Sequence, residues 1–206
     1  KQSINKISFV SMLNNGISQL LYLFDIFVIG IVVANENVLA SYKVATMIPT
    51  ALIFIPIALV TYLYPYFASH IDDKEWCFRH YKKIFFYNLL FNGIIALVLF
   101  VLAPKIIKII FGLQYLDAVA IFRILIVSYF FSSSFRVLSS NLLVAQRKLK
   151  FNFFESVICG GVNVLADYLL IKLWGGIGAA IATLIVVIIS SLLSTSFLIY
   201  TYKKSS

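Results

Sequence analysis

A row of polar side chains lies at helical spacing within an otherwise apolar stretch near the start of the sequence. Its members are Ser11, Asn15, Ser18, Tyr22 and Asp25, with Gln19 beside them. They are three or four residues apart, which places them on one face of a helix. Such a face can wall a cavity for a polar substrate or an ion, or it can bond to a neighbouring helix. Asp25 favours the first interpretation, because a charge within an apolar helix needs a partner or water.

Two further polar rows lie in the second half of the sequence. One consists of Ser128, Ser132, Arg136 and Ser140, and the other of Asn152, Cys159, Asn163 and Asp167, with Glu155 beside it. Only Gln146–Lys150 separates the two apolar segments that carry these rows. A connection this short predicts that the two helices are antiparallel neighbours.

The depth of each charged side chain follows from the helical rise. At ~1.5 Å per residue, Arg136 lies about 18 Å from the loop near Lys148, and Glu155 lies about 10 Å from it. Asp167, and Asp25 counted from Lys6, each lie about 28 Å deep. An Arg side chain can bridge the smaller difference, so the sequence predicts that Arg136 pairs with Glu155 rather than with either Asp. Two roles for Arg136 remain open, one structural and one in binding a substrate phosphate.

Prolines and glycines shape two of the apolar segments. Pro56 removes a backbone hydrogen bond in mid-segment, which predicts a kinked helix of the kind found beside transport cavities. Gly178 and Ala182 form a small-xxx-small step that lets helix backbones approach closely. These glycines do not form a phosphate-binding loop, because no strand precedes them and no Lys-Ser/Thr pair follows.

The sequence has no recognisable catalytic or metal-binding set. Its two histidines, His70 and His80, lie in one loop, and no Cys, His and carboxylate residues have metal-ligand spacing. We therefore predict no catalytic residues and no bound metal, and we predict that the protein is not an enzyme.

The composition is that of a membrane protein. Of the 206 residues, 62% are hydrophobic and 12% are charged, with a mean hydropathy of +0.98. Soluble domains carry about 25% charged residues. Charge-free stretches of about 20 residues, the length that crosses a bilayer, recur along the chain. They predict an all-α fold in one six-helix transmembrane lobe over residues 1–206, with spans at Ser8–Val33, Val44–Phe67, Ile84–Ala103, Ile121–Ala145, Phe151–Ile171 and Gly176–Thr201.

The basic residues predict the orientation of these spans. Of the 17 Lys and Arg residues, eleven lie on the side of the two termini and five on the other side, and Arg136 lies within a span. The positive-inside rule then places both termini in the cytoplasm. The basic excess predicts contact with anionic membrane lipids rather than with nucleic acid. The segments His70–Lys83 and Pro104–Leu116 are expected to form helices along the membrane surface.

Several motifs resemble those of a known family. Phe111-Gly112 and Ile121–Leu125 are similar to the outer-loop signature of bacterial polysaccharide flippases, and Leu142–Lys148 is similar to their "LLAQ-K" segment. Asn163–Ile171 followed by Gly175–Thr183 resembles their "N-x₃-N-x₂-LI … G-x-x-GAAIAT" pair. These flippases belong to the multidrug/oligosaccharidyl-lipid/polysaccharide exporter (MOP) superfamily, which has a MATE-like fold. Asp167 stands where the family has its second Asn.

The resemblance implies the C-terminal lobe of a transporter of twelve or more helices, whose N-terminal lobe is absent from this chain. Such proteins flip undecaprenyl-pyrophosphate-linked oligosaccharide across the bacterial cytoplasmic (inner) membrane by alternating access coupled to a proton or sodium ion. The expected cavity residues are Asn15, Ser18, Gln19, Tyr22, Asp25, Lys43, Pro56 and Arg136. The alternatives are a multidrug or peptidoglycan-precursor exporter of the same fold, an integral membrane glycosyltransferase, or a scaffold without transport.

Overall fold

A computed structural model describes residues 25–33 and 35–204, and every regular element in those ranges is helical. The helices are α1 (25–32), α2 (Glu36–Leu52), α3 (Phe54–Ser69), α4 (Lys74–Ile110), α5 (Ala118–Phe131), α6 (Val137–Ala145) and α7 (Leu149–Lys203). A short 3₁₀ turn at Leu113–Tyr115 precedes α5, and a π-helical turn at Ser132–Arg136 joins α5 to α6. The predicted all-α fold is confirmed.

Four continuous helical stretches in the described part of the chain are long and apolar enough to cross a membrane. They are Glu36–Ser69, Lys74–Ile110, Ala118–Ala145 and Leu149–Lys203. Large apolar side chains cover the outside of α4, where Leu90, Phe91, Ile94 and Leu97 are exposed, as expected for a surface that meets lipid. The chain is therefore a multi-pass membrane protein. The division into six spans stays a prediction, because most of the first span lies outside the described residues.

Helix α7 folds back on itself at Gly175, which has φ 55° and ψ −130°. Its first arm (149–174) and second arm (176–203) are antiparallel, and Phe151 near one end stacks on Phe197 near the other with ring centroids 3.9 Å apart. At the bend, a Cβ on Gly178 would lie 2.0 Å from the carbonyl oxygen of Leu170, so this position requires glycine. The close packing predicted for Gly178 and Ala182 is confirmed, since both are buried.

The helical stretch of α2 and α3 is irregular at Ile53, three residues before Pro56, and the kink predicted at Pro56 stays a prediction. Pro56 has no N–H to donate to the carbonyl of Leu52, and Ile53, which keeps helical φ and ψ, separates α2 from α3. The Ile53 N–H donates to the carbonyl of Thr50, three residues back, so the ladder tightens before α3 begins. Pro49 and Pro65 lie inside α2 and α3 without interrupting them.

Helix α4 corrects the expectation of separate surface helices. It begins at Lys74, where Asp73 caps it by accepting from the N–H of Trp76, and it continues without a break to Ile110. Most of His70–Lys83 and the first half of Pro104–Leu116 therefore belong to the two ends of one long helix rather than to helices of their own. Pro104 lies inside α4 and does not end it.

Two apolar clusters hold the helices together, one at each end of the lobe. The first contains Ile29, Tyr42, Phe122, Ile171 and Ala179, from α1, α2, α5 and both arms of α7. The second contains Phe67, Tyr81, Leu138, Leu142 and Leu198, from α3, α4, α6 and the second arm of α7. The buried polar side chains described next lie on the inner faces of the same helices.

Candidate functional site

The carboxyl group of Asp25 is held inside the lobe by side chains from two other helices. Asp25 is 5% exposed, and its Oδ2 accepts a hydrogen bond from the Tyr42 hydroxyl of α2 at 2.9 Å. The same oxygen accepts from the Thr183 hydroxyl, on the second arm of α7, at 3.2 Å. Asp25 therefore lies where α1, α2 and α7 meet.

A second carboxyl group, that of Asp167, lies beside the first. Asp167 is on the first arm of α7, is fully buried, and its side chain interacts with that of Asp25. Apart from the contact between the two carboxyl groups, neither Asp167 oxygen accepts a hydrogen bond from a described residue, and the same holds for Oδ1 of Asp25. Three buried carboxyl oxygens thus converge without a protein donor in this part of the chain.

Two adjacent carboxylates inside a membrane protein require a positive charge. Like charges at this separation repel strongly where the dielectric is low, and burial removes the water that would screen them. Within residues 25–33 and 35–204, the single ion pair joins Arg79 to Glu75 on the surface, so it does not neutralise this pair. A bound proton or a cation would supply the missing charge.

The donor set decides which cations fit. Two carboxylates and the hydroxyl of Thr183 are all oxygen ligands, which suit hard cations rather than zinc or copper. The described part of the chain contains no group of three His, Cys, Asp or Glu side chains that could hold a metal ion. Two carboxyl groups and a hydroxyl fit a proton shared between the carboxyl groups, or a hard cation such as sodium.

Of the residues predicted for the cavity, Asn15, Ser18, Gln19 and Tyr22 lie outside the described residues. Lys43 is exposed on α2, whereas Pro56 is buried in α3. Neither makes a hydrogen bond to the Asp25–Asp167 pair. The assignment of all eight residues to one cavity stays a prediction.

The predicted pairing of Arg136 with Glu155 is not formed as an ion pair. The charges of the two groups attract each other, but the guanidinium instead donates from Nε and Nη2 to the Ser132 hydroxyl at 3.3 and 3.2 Å. Glu155 accepts from the Ser190 hydroxyl. Ser132 lies four residues before Arg136 on the same face of the helix, so the guanidinium reaches this hydroxyl within its own helix. The expected depths of Arg136 and Glu155 are compatible with this arrangement.

Sequence reasoning singled out Asp25 and Asp167 separately and did not place them together. The signal was present, since both have the same depth when counted from the same side of the membrane. Tyr42 and Thr183 gave no such signal, because a single hydroxyl in an apolar segment is common. Only the bend at Gly175 brings Thr183 back to the level of Asp167.

The fold has known relatives among solved structures, although no family model and no curated protein sequence matches the chain. One relative is a MOP superfamily transporter from Pyrococcus furiosus, whose reversed binding-pocket polarity suggests a different function. That match has a TM-score of 0.82 and 18% identity over 97% of this chain and 45% of that one. Another is a multidrug resistance MATE family transporter of the same superfamily in an outward-facing conformation. It matches with a TM-score of 0.68 and 20% identity over 96% of this chain and 44% of that one.

The chain thus has the all-helical membrane fold found in part of a MOP superfamily transporter. It spans less than half the length of either solved structure. The fold implied by the sequence resemblance is confirmed.

Proposed function

We propose that this chain is one lobe of a transporter that moves its substrate by alternating access, driven by a cation bound between Asp25 and Asp167. The buried carboxyl pair carries this proposal. A purely structural role does not account for two adjacent carboxylates deep in a membrane protein. Ionisable side chains are rare within membrane spans, and those that occur mark ion pathways. Three helices hold the pair, so binding or release of a cation changes the force between those helices.

The coupling follows from simple electrostatics. With a cation or proton bound, Asp25 and Asp167 attract it and hold α1 and α7 together. Without it, their repulsion favours a conformation that separates them or admits water. A ligand shifts a conformational equilibrium by its difference in affinity for the two states. A site whose geometry depends on the relative position of α1, α2 and α7 has such a difference.

The substrate that we propose is an undecaprenyl-pyrophosphate-linked oligosaccharide. The motif resemblance supports it, and so do exposed cationic and aromatic side chains on α2 and α3. Lys43 is exposed on α2, and Tyr62 and Tyr66 are exposed on α3 with ring centroids 5.4 Å apart. A cation suits a pyrophosphate, and exposed tyrosine rings suit the apolar faces of sugars. On this proposal, an N-terminal lobe supplies the other wall of the path.

The location of the protein in the cell and its orientation in the membrane follow from the same proposal. We expect it in the bacterial cytoplasmic membrane, with both ends of this segment in the cytoplasm and with its basic loops against anionic lipid heads. We expect no nucleic-acid partner and no catalytic turnover. Since a single lobe forms one wall of a path, this segment alone is expected to transport nothing.

The test is glycan display by cells that carry Asp25→Asn or Asp167→Asn in the full-length protein. Each change keeps the side-chain size and removes the charge that binds the cation, so display should fall at least about tenfold, equivalent to ~1.4 kcal/mol. Glu75→Gln is the matched control, because Glu75 is exposed and pairs only with Arg79. Normal display by both Asp variants, at normal protein level in the membrane, would remove the pair from the mechanism.

A multidrug exporter is the second candidate, and the similarity to the multidrug resistance MATE transporter favours it. Drug export would confer resistance on a susceptible strain and would leave glycan display unchanged on deletion. The same Asp25→Asn variant would abolish that resistance, so the cation site and the substrate are tested separately. An enzyme, by contrast, would turn over its substrate in detergent without any gradient.

A further inference from the structure

We infer that the lobe contains an internal polar path that carries the coupling ion between the Asp25–Asp167 pair and the basic end of the lobe, with Glu155 as its intermediate site. This inference rests on the proposed cation coupling. It concerns the route by which the ion reaches the carboxyl pair, which the geometry of the pair does not specify.

The path follows one face of the first arm of α7. Five polar side chains lie there three or four residues apart, and all are buried. They are Asn152, Glu155, Cys159, Asn163 and Asp167. Between the lysines near its two ends, Lys150 and Lys172, the arm exposes large apolar or aromatic side chains such as Val157, Leu165 and Tyr168. The polar face therefore points into the lobe and the apolar face points outward.

Polar groups on neighbouring helices line the other side of this path. The Asn152 side-chain amide donates to the carbonyl oxygen of Ser140 on α6 at 2.8 Å. Ser190, on the second arm of α7, donates to Glu155 and also lies beside the thiol of Cys159. The last groups of the path, Thr183 and Asp25, belong to the carboxyl site already described.

The spacing suits single water molecules between successive groups. Positions 155, 159, 163 and 167 are four residues apart, so neighbouring side chains are about 6 Å apart along the helix. A water that bonds to two groups spans about 5.5 Å, since each hydrogen bond is ~2.8 Å long. Buried polar atoms normally have partners, yet Oδ1 of Asn152 and both oxygens of Asp167 have none in the described part of the chain. These atoms lie at the two ends of the path.

Glu155 is the group on this path that can carry the charge. It lies about 18 Å along the helix from Asp167, too far for direct transfer. Its carboxylate can take up a proton or coordinate a cation, whereas the amides and the hydroxyls can only pass one along. The charges of Arg136 and Glu155 attract each other, although the guanidinium is hydrogen-bonded to Ser132 rather than to Glu155.

The path ends near a solvent-exposed, basic part of the surface. Asn152 lies in the first turn of α7, next to the loop of Gln146–Lys148. Arg147, Lys148 and Lys150 are exposed there. If both ends of the segment are cytoplasmic, as proposed, the path opens to the cytoplasm and serves release of the ion after transport.

The experiment is a concentration jump on the full-length protein in proteoliposomes adsorbed to a solid-supported membrane. Transient charge movement is recorded after a jump in sodium at constant pH and, in a second arm, after a jump in pH without sodium. In whichever arm the wild type responds, Glu155→Gln should slow the charge movement about tenfold or more, a barrier increase of ~1.4 kcal/mol. The amount of charge moved and the apparent affinity should stay within about twofold of wild type, since the pair is intact.

Three variants keep the result interpretable. Glu155→Asp retains a carboxyl and should recover most of the rate. Ser190→Ala removes the donor to Glu155 without removing a charge and should slow the movement less than Glu155→Gln does. Glu75→Gln, the exposed control, should match the wild type.

The outcomes separate this inference from the proposed function. Wild-type rates in both Glu155→Gln and Ser190→Ala would overturn the path while leaving the carboxyl pair in place. Loss of affinity in Glu155→Gln with no change of rate would also overturn it, because Glu155 would then belong to the binding site. Charge movement that persists in Asp25→Asn and Asp167→Asn would contradict the proposed function, whatever Glu155→Gln does.

Discussion

At the scale of single residues, Tyr42 and Thr183 decide how Asp25 presents its charge. Both donate to Oδ2, whereas Oδ1 has no donor in the described part of the chain. Hydrogen bonds to a charged acceptor contribute more than neutral ones, about 1.5–3 kcal/mol each. These two hydroxyls therefore fix the position of one carboxylate against its neighbour, while the second carboxylate has no such support.

Tyr42→Phe tests this arrangement. Removing the hydroxyl lets Asp25 rotate, so we expect the affinity of the full-length protein for its coupling cation to weaken by about tenfold, equivalent to ~1.4 kcal/mol. The aromatic ring and its packing against the apolar cluster remain. The measurement is the ion concentration that gives half-maximal charge movement. Tyr62→Phe is the control, because Tyr62 is exposed and bonds only to Tyr66. Equal affinities in the two variants would show that Tyr42 does not position Asp25.

At the scale of helices, the bend in α7 is what assembles the site. The two arms bring Thr183 to the level of Asp167 and Ser190 to the level of Glu155. That alignment depends on the contact of Gly178 with the backbone at Leu170. The apolar pattern predicts two spans, Phe151–Ile171 and Gly176–Thr201, but it does not specify the contact that aligns them.

Gly178→Ala should therefore damage the protein. The added methyl group would lie 2.0 Å from a backbone oxygen, so the two arms must separate before it fits. We expect a fall in the melting temperature of the purified protein of several degrees, the effect of roughly 1–3 kcal/mol of overpacking. Gly161→Ala is the matched control, because nothing lies within 4 Å of a Cβ at that position and alanine is the better helix former. A Gly178→Ala protein as stable as Gly161→Ala would contradict the close approach.

Some elements followed from the sequence and others did not. Pro56 predicted a disturbance of the helix near Ile53, and the Gly-rich segment predicted close packing near Gly178, because both effects are local. The continuity of α4 was not predicted, because Lys82 and Lys83 suggested the end of a membrane span and therefore the end of the helix. A helix can continue past such a boundary into water. The π turn at Ser132–Arg136 was missed as well. It depends on Asn88 of α4, which donates to the freed carbonyl oxygens of Ser133 and Ser134 at 2.9 and 3.4 Å.

At the scale of the whole molecule, the candidate site followed from the sequence only in part. Asp25 was identified because a charged residue within an apolar helix stands out in the sequence. Its hydrogen-bond partners come from α2 and α7, and one of them, Thr183, is 158 residues away from it in the chain. Lys43 is exposed on α2 and Arg136 is bonded to Ser132, and neither is hydrogen-bonded to the carboxyl pair. The lobe thus separates a buried ion site from an exposed face, and we propose that the exposed face meets the substrate.

Because the two sites are separate, variants of the substrate face should lose glycan display without losing cation binding. Replacing Tyr62 and Tyr66 together by alanine removes the stacking surface on α3 and should lower glycan display several-fold. Charge movement driven by the cation should remain, because neither ring contacts Asp25 or Asp167. Glycan display is compared with charge movement in the same full-length variant. Loss of both functions in correctly inserted protein would mean that the two sites are not separate.

The most direct test of the account is whether the carboxyl pair binds the cation. Binding of radioactive sodium by the purified full-length protein is measured at equilibrium, and in sodium-free buffer proton uptake is measured after a downward pH jump. We predict that the wild type binds one of the two ions at a site that is lost in both Asp25→Asn and Asp167→Asn and retained in Glu75→Gln. Unchanged binding of both ions in the two Asp variants would contradict the central claim.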